Sequence, residues 1–476
     1  MAEAGSERNR KRSPAGRLIF SCLTSVAVCA IVAVVIWTRH NAIDPIAMPD
    51  RQMPAENARD DFMRAARLAM AVKHKSPDDS PYPDTLWNFP GFQGCAGDAE
   101  PVLAALHDGF KKTFMAPTPA QRGPSDLSSM REMGRDLEGA SDYYVIVGQP
   151  MRSAEVKLDL WQASVMSARG GDMMDALVGI AIEHMALRGF EELLPKLTAP
   201  ELARVAARVD AVAALRTPYA DTLTETAYAD AKQILDYLRS PQGTSFAAAR
   251  ANAGGFGLDL GAAFGNKSSL SEQAKVDWKA LDIYFADKSA AIRENLDYTL
   301  ALAAEARKPY AGHSQVKPPH NIYSDSLDYL YSGRKKQLTM EAATALLQVE
   351  VALLRYRKEF GRYPSALQEL TPRLLKAIPD DPYGGAAGVP LHYKPNDDGR
   401  SFLLYSLGPA MKDLGGATGK YLLQSEDGNI VAGRLYHPLK LPQAPSAYRA
   451  DLALTRPTRG FVPGIRARGK VTVRHD

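Results

Sequence analysis

The chain has 476 residues, enough for two or three domains, and 45% of them are hydrophobic, so a real core is expected. Its formal net charge of +4 is unevenly spread. Residues 1–17 carry five basic and two acidic groups and residues 441–476 carry seven and two, which leaves a mildly acidic body and argues against a nucleic-acid-binding face.

Residues 1–17 read as a basic cytoplasmic tail. Residues 18–37, LIFSCLTSVAVCAIVAVVIW, hold no charge and no proline. At about 1.5 Å per residue, about 20 residues span about 30 Å, the thickness of a bilayer core. Arg8, Arg10, Lys11, Arg12 and Arg17 precede the run, and basic flanks stay in the cytoplasm. The expectation is a single-pass anchor in a bacterial inner membrane, with the N-terminus inside and the bulk extracytoplasmic. The run exceeds the apolar stretch of a cleaved signal peptide, and Ile36-Trp37-Thr38-Arg39 is a poor cleavage site. Of three cysteines, Cys22 and Cys29 fall in this run and only Cys95 outside it, so no intramolecular disulfide is available beyond the membrane.

Residues 38–54 are a short linker and 55–335 a helical domain, a bundle with no 34-residue period. Ala58 to Lys73 places Phe62, Ala66 and Met70 on one face. Residues 76–97 hold four prolines and three glycines and read as a long loop containing Cys95; 116–129 is a second break. Helices are expected at Ser153–Met166 and Met173–Leu194, with Asp172 as N-cap of the second, then at Pro200–Leu215 and Asp221–Leu238. Residues 242–270 are Gly/Ala/Ser-rich, Ser271–Lys308 returns to helix, and 309–323 is a Pro/His linker.

From 338 to 440 the pattern is α+β. Met340 to Phe360 is a periodic helix, with Leu346, Val349, Leu353, Tyr356 and Phe360 on one face and Gly361 as its stop. Ala366 to Leu375 reads as a helix broken at Pro372. Val389–Lys394 and Ser401–Leu407 read as strands joined by the turn Asn396-Asp397-Asp398-Gly399. Residues 441–476 form a basic tail.

The run RYRKEFGRYPSALQEL, followed by IPDDPYGG, PLHYKP and FLLYSLG, resembles the globular domain of type II secretion major pseudopilins over roughly residues 350–416. The whole chain, through stretches such as NARDDFMRAARLA and LVGIAIEHMALRGFEELL, resembles membrane-anchored bacterial envelope proteins that carry this module. The second resemblance implies no activity. The first implies a helix-then-sheet module, a link to secretion or pilus-type machinery, and a calcium site in the loop after FLLYSLG. In that loop Asp413 is the calcium candidate, while Ala410 stands where an aspartate is expected. The apolar run lacks the glutamate of a pseudopilin, and roughly 300 residues separate it from the module. An atypical pseudopilin subunit is therefore an alternative reading rather than the leading one.

No catalytic constellation is found. Glu183-His184 lacks the second histidine of a zinc helix, His313 and His320 have no ligand-spaced neighbours, and there is no G-x-S-x-G elbow or phosphate loop. Gly254 to Gly257 reads as a flexible loop, and Asp78-Asp79 and Asp380-Asp381 read as turn formers. Tyr143-Tyr144, Tyr310, Tyr329 and Tyr331 are aromatics near breaks, with packing at helix ends as their expected role. The leading expectation is a non-catalytic scaffold or interaction protein with protein partners in the envelope and no cofactor. An extracytoplasmic hydrolase with a fold-assembled site is the other rival.

Overall fold

The computed structural model describes residues 25–34, 46–71, 89–239, 287–321, 327–417 and 428–441, apart from isolated positions within them. Most of the flanks of the apolar run, the Asp78-Asp79 pair, the Gly254–Gly257 loop, His313 and the tail from 442 lie outside the described residues. Residues 25–32 are helical and exposed, with Val26 at 67% and Ile31 at 63%. Among the described residues no helix is long and apolar enough to cross a membrane.

The body is mainly helical. Its elements are α1 (Ala58–Ala71), α2 (Phe89–Gly109), α3 (Asp126–Ile146), α4 (Pro150–Ser167), α5 (Met173–Leu187), α6 (Phe190–Leu193), α7 (Ala199–Ala213), α8 (Tyr219–Arg239), α9 (Lys288–Ala306) and α10 (Asp328–Phe360). A small antiparallel sheet follows, in the order β1 (His392–Pro395), β2 (Phe402–Ser406), β3 (Ile430–Val431). Helices α1 to α5 pack successively on one another, α8 packs on α9, and α10 lies against α5, α7 and α8 and against β2 and β3.

Local chemistry sets many of the boundaries. Asp172 caps α5: its carboxylate accepts the amides of Met174 at 2.8 Å and Asp175 at 3.1 Å, and Asp175 reaches back to the Asp172 amide at 3.1 Å. At the start of α7 the Thr198 amide and hydroxyl both donate to the Glu201 carboxylate, each at 2.8 Å. Pro150 opens α4, where its missing amide costs nothing. Helix α5 stops at Gly189, in the left-handed region at φ 71°, rather than running to Leu194 as the apolar pattern suggests. A Cβ on Gly189 would also run into Leu439.

Several expectations are corrected. The loop expected over 76–97 is helix from Phe89 onward, and Cys95 lies inside α2. Phe92, Cys95, Ala99, Val102 and Leu106 are all buried, at alternating three and four spacing. That stripe outweighs the poor helix propensity of Gly94 and Gly97. Helix α10 begins at Asp328, twelve residues before Met340 and ahead of the expected division at 335–338. Gly333 within it marks no boundary: a Cβ there would meet the Met173 sulfur and the Tyr219 hydroxyl, so glycine permits close approach. Leu346, Val349, Leu353 and Tyr356 are buried as expected, but Phe360 is 49% exposed. It sits on the last turn, its ring 4.4 Å from that of Tyr356 with the Arg373 guanidinium over it. The helix predicted at Ala366–Leu375 shrinks to a 3-10 turn at Leu367–Leu370, followed by a cis Thr371–Pro372 bond.

The hairpin has the expected form. His392 pairs with Tyr405 and Pro395 with Phe402, and the Asn396–Gly399 turn closes with Gly399 at φ 63°. Asp381 fastens the hairpin to the preceding turn, accepting from the Ser406 hydroxyl at 2.6 Å and the amides of Leu407 and Tyr383 at 2.8 and 2.9 Å. One hydrophobic core runs from Phe62 in α1 through Trp161 in α4 and Leu346 in α10 to Leu404, Ile430 and Leu435.

Candidate functional site

Burying charge is costly unless the charge is paired. The described charges are mostly paired at the surface, but one group is sunk between α3, α4, α5, α6 and α10. Lys157, 1% exposed, donates from Nζ to the Arg188 carbonyl at 2.8 Å and lies 3.9 Å from Asp142. Arg188 turns its guanidinium to Glu138 at 2.6 Å and Asp142 at 3.8 Å. Glu183 accepts from the Trp161 indole at 2.8 Å and from Arg216 at 3.0 Å. These groups bind α3, α4 and α5, the α5–α6 turn and the α7–α8 connection into one block.

The cluster continues onto the segment after β3. Glu191 accepts from the amides of Gly433 at 2.6 Å and Leu435 at 3.2 Å, and Glu192 from that of Leu439 at 2.9 Å. The Tyr436 ring meets the edge of His184 at 4.6 Å. Glu350, from the middle of α10, is buried and is repelled by the charge of Glu191. Among the described residues, the buried Oε2 of Glu350 and hydroxyl of Tyr436 have no hydrogen-bond partner.

Burial disfavours charge throughout. It pushes the Glu350 carboxyl well above the usual range, with repulsion from Glu191 adding to it. Glu191 is pushed to about 7 by burial, opposed by the Gly433 and Leu435 amides and reinforced by Glu192. Burial raises Asp142 and Glu138 against the pull of Lys157 and Arg188, and lowers Lys157 despite its acidic neighbours. His184 is held down to about 4 by burial and by Arg188, so it is a neutral packing group.

A second feature is a surface cleft enclosing about 410 Å³ of space open to solvent. Its floor is Phe62, Met63 and Met130. Its polar wall is Arg122, bonded to Asp172 at 2.9 Å and Asp175 at 2.6 Å, and Arg59 paired with Asp126. Asp175 is raised to about 7 by burial and by Asp172, against Arg122. Ser167 at its edge donates to the Ser164 carbonyl at 2.7 Å.

The residues singled out in sequence are scattered. Asp413 accepts from the Tyr405 hydroxyl at 2.7 Å and the Gly415 amide at 2.8 Å, and His392 lies 3.6 Å away. The Gly415 amide and the Tyr405 hydroxyl hold its carboxyl below the usual range. The loop carbonyls of Leu407 and Lys412 accept from the Asn429 amide at 3.0 and 2.8 Å. Among the described residues no set of three or more His, Cys, Asp or Glu is arranged to hold a metal ion. Tyr143 packs between Phe89 and Tyr144, Tyr310 packs on Tyr383, and the side chains of Tyr329 and Tyr331 lie outside the described residues. His320 is exposed in the extended stretch before α10.

Sequence reasoning missed the buried cluster. Two signals carried it: Lys157 between Val156 and Leu158, and Glu350 flanked by Val349 and Val351 on the core-facing helix. Compared with protein-family models, curated proteins and solved structures, the chain matches none of them.

Proposed function

We propose that this chain is a membrane-anchored envelope protein with a non-catalytic scaffold body, held in the cytoplasmic membrane by residues 18–37 with its bulk outside. The uncharged run and its basic flank support the anchor. The order of the RYRKEFGRYP, IPDDPYGG and FLLYSLG motifs supports a pseudopilin-like module and, through it, a link to secretion or pilus-type machinery. The observation that carries the scaffold reading is the shared core. Helix α10 is covered by α5, α7 and α8 as well as by β2 and β3, so most of its apolar surface is already used inside the chain, Phe360 on the last turn remaining exposed. A filament subunit needs such a face for its neighbours, which weighs against the pseudopilin-subunit reading.

The hydrolase alternative has one observation in its favour, a carboxyl held near 7 in an open cleft at Asp175. The same carboxylate is tied to Arg122 and to the Asp172 amide, which accounts for it structurally. Affinity purification of the full chain from gently solubilised membranes, with mass spectrometry of bait and companions, separates the readings. The scaffold reading expects stoichiometric envelope partners. Recovery of the bait alone, together with hydrolytic activity lost in Asp175→Asn, would overturn it.

A further inference from the structure

Residues 407–417, which follow β2, are organised by one side chain from outside the stretch. Asn429, 2% exposed, stands just before β3 and reaches back into the turn. Its Oδ1 accepts the amides of Leu414 and Gly416, each at 3.1 Å. Its Nδ2 donates to the carbonyls of Leu407 at 3.0 Å and Lys412 at 2.8 Å. A carboxamide has two donors and two acceptor lone pairs, and all four are used here. Every partner is a backbone group of fixed polarity, so the opposite orientation of the amide would satisfy none of them. The backbone amide of Asn429 adds a fifth bond, to the Ala417 carbonyl at 2.9 Å.

The loop needs such a centre. Met411 is held at φ 50°, where side chains other than glycine are uncommon, and Gly408 at φ 66° lets the Gly428 carbonyl approach to where a Cβ would stand. Carbonyls and amides turned inward must find partners within the loop. A divalent cation is one solution, since calcium draws six to eight oxygens to a point. The oxygens of this loop are committed elsewhere. The Leu407 and Lys412 carbonyls face the two N–H groups of Asn429, whose positive hydrogens would repel a cation approaching them. Asp413 Oδ1 is taken by the Tyr405 hydroxyl at 2.7 Å and the Gly415 amide at 2.8 Å, and Ala410 brings no side-chain oxygen. The donor set does not fit calcium.

We propose that the Asn429 carboxamide takes the place of a bound cation, so that the loop marked for calcium by the pseudopilin resemblance is locked by the chain alone. Met411 and Leu414, each 41% exposed, then keep one arrangement at any calcium concentration. The lock depends on hydrogen bonds of the module and not on the membrane anchor. It is specific to an amide. An aspartate at 429 has the same size and could still accept from Leu414 and Gly416, but it would set an oxygen against two carbonyl oxygens and leave both without a donor.

Hydrogen exchange by mass spectrometry on the detergent-solubilised full chain, read on the peptide covering 408–417, tests this in EGTA and again in millimolar calcium chloride. Wild-type protection should be the same in both. In EGTA, Asn429→Asp should raise exchange of that peptide at least about tenfold, because each buried carbonyl stripped of its donor disfavours the closed loop. Should Asn429→Asp not fold, Asn429→Ser, which lacks the reach but adds no charge, is read in the same way. Calcium-dependent protection of the wild-type loop, or a variant loop that exchanges as slowly as the wild type, would show that Asn429 is not the lock.

Discussion

Lys157 shows how single residues decide the architecture. It is sealed between α3, α4 and the α5–α6 turn, bonded to the Arg188 carbonyl and close to Asp142. Replacing it with alanine strands Asp142, and removal of one partner from a buried pair costs about 3–5 kcal/mol. Lys157→Met fills the volume but leaves Asp142 with only the Arg188 guanidinium, 3.8 Å away; combined with Asp142→Leu it should recover most of the loss. Urea denaturation of the three variants measures this. Cys95 belongs to the same scale. Burial, reinforced by Asp136, pushes its thiol up to about 12, so the thiolate that reacts with alkylating agents is scarce. Cys95 should resist iodoacetamide at neutral pH in the folded protein and label readily in denaturant.

At the scale of elements, caps and turns were readable in the sequence and depths were not. Asp172, Gly361 and the Asn396–Gly399 turn stand where local chemistry placed them, because a cap or a turn depends on a few neighbouring residues. The early start of α2 and the reach of α10 back to Asp328 were hidden. Gly94 and Gly97 read as breaks, whereas burial of the stripe around them against distant helices holds them in helix. The buried cluster was hidden for the same reason: Glu138, Lys157 and Glu191 are ordinary surface types until the fold brings them together. Replacing Asp172 with alanine removes the acceptor of two amides and one partner of Arg122. A lost N-cap costs about 1 kcal/mol, with fraying confined to the first turn of α5. Thermal denaturation and exchange at Met174 and Asp175 would register it.

At the scale of the whole molecule, the expected division near 335–338 meets a continuous helix and a continuous core. Trp161 in the helical body and Leu404 in the sheet belong to one buried cluster, linked through Leu346, Val349 and Leu353. A module seated this way lacks an independent core, so it has little stability of its own to lose separately. Partners would then meet a single rigid surface in which the helical layer and the hairpin hold fixed positions. The most direct measurement is native-state hydrogen exchange across a denaturant series on the full chain, comparing α4 and α5 with α10 and β2. Protection should be lost at one common denaturant concentration, with one common slope. Loss of protection in α10 and β2 well before α4 and α5 would mean two independent units, and the single-scaffold account would fail.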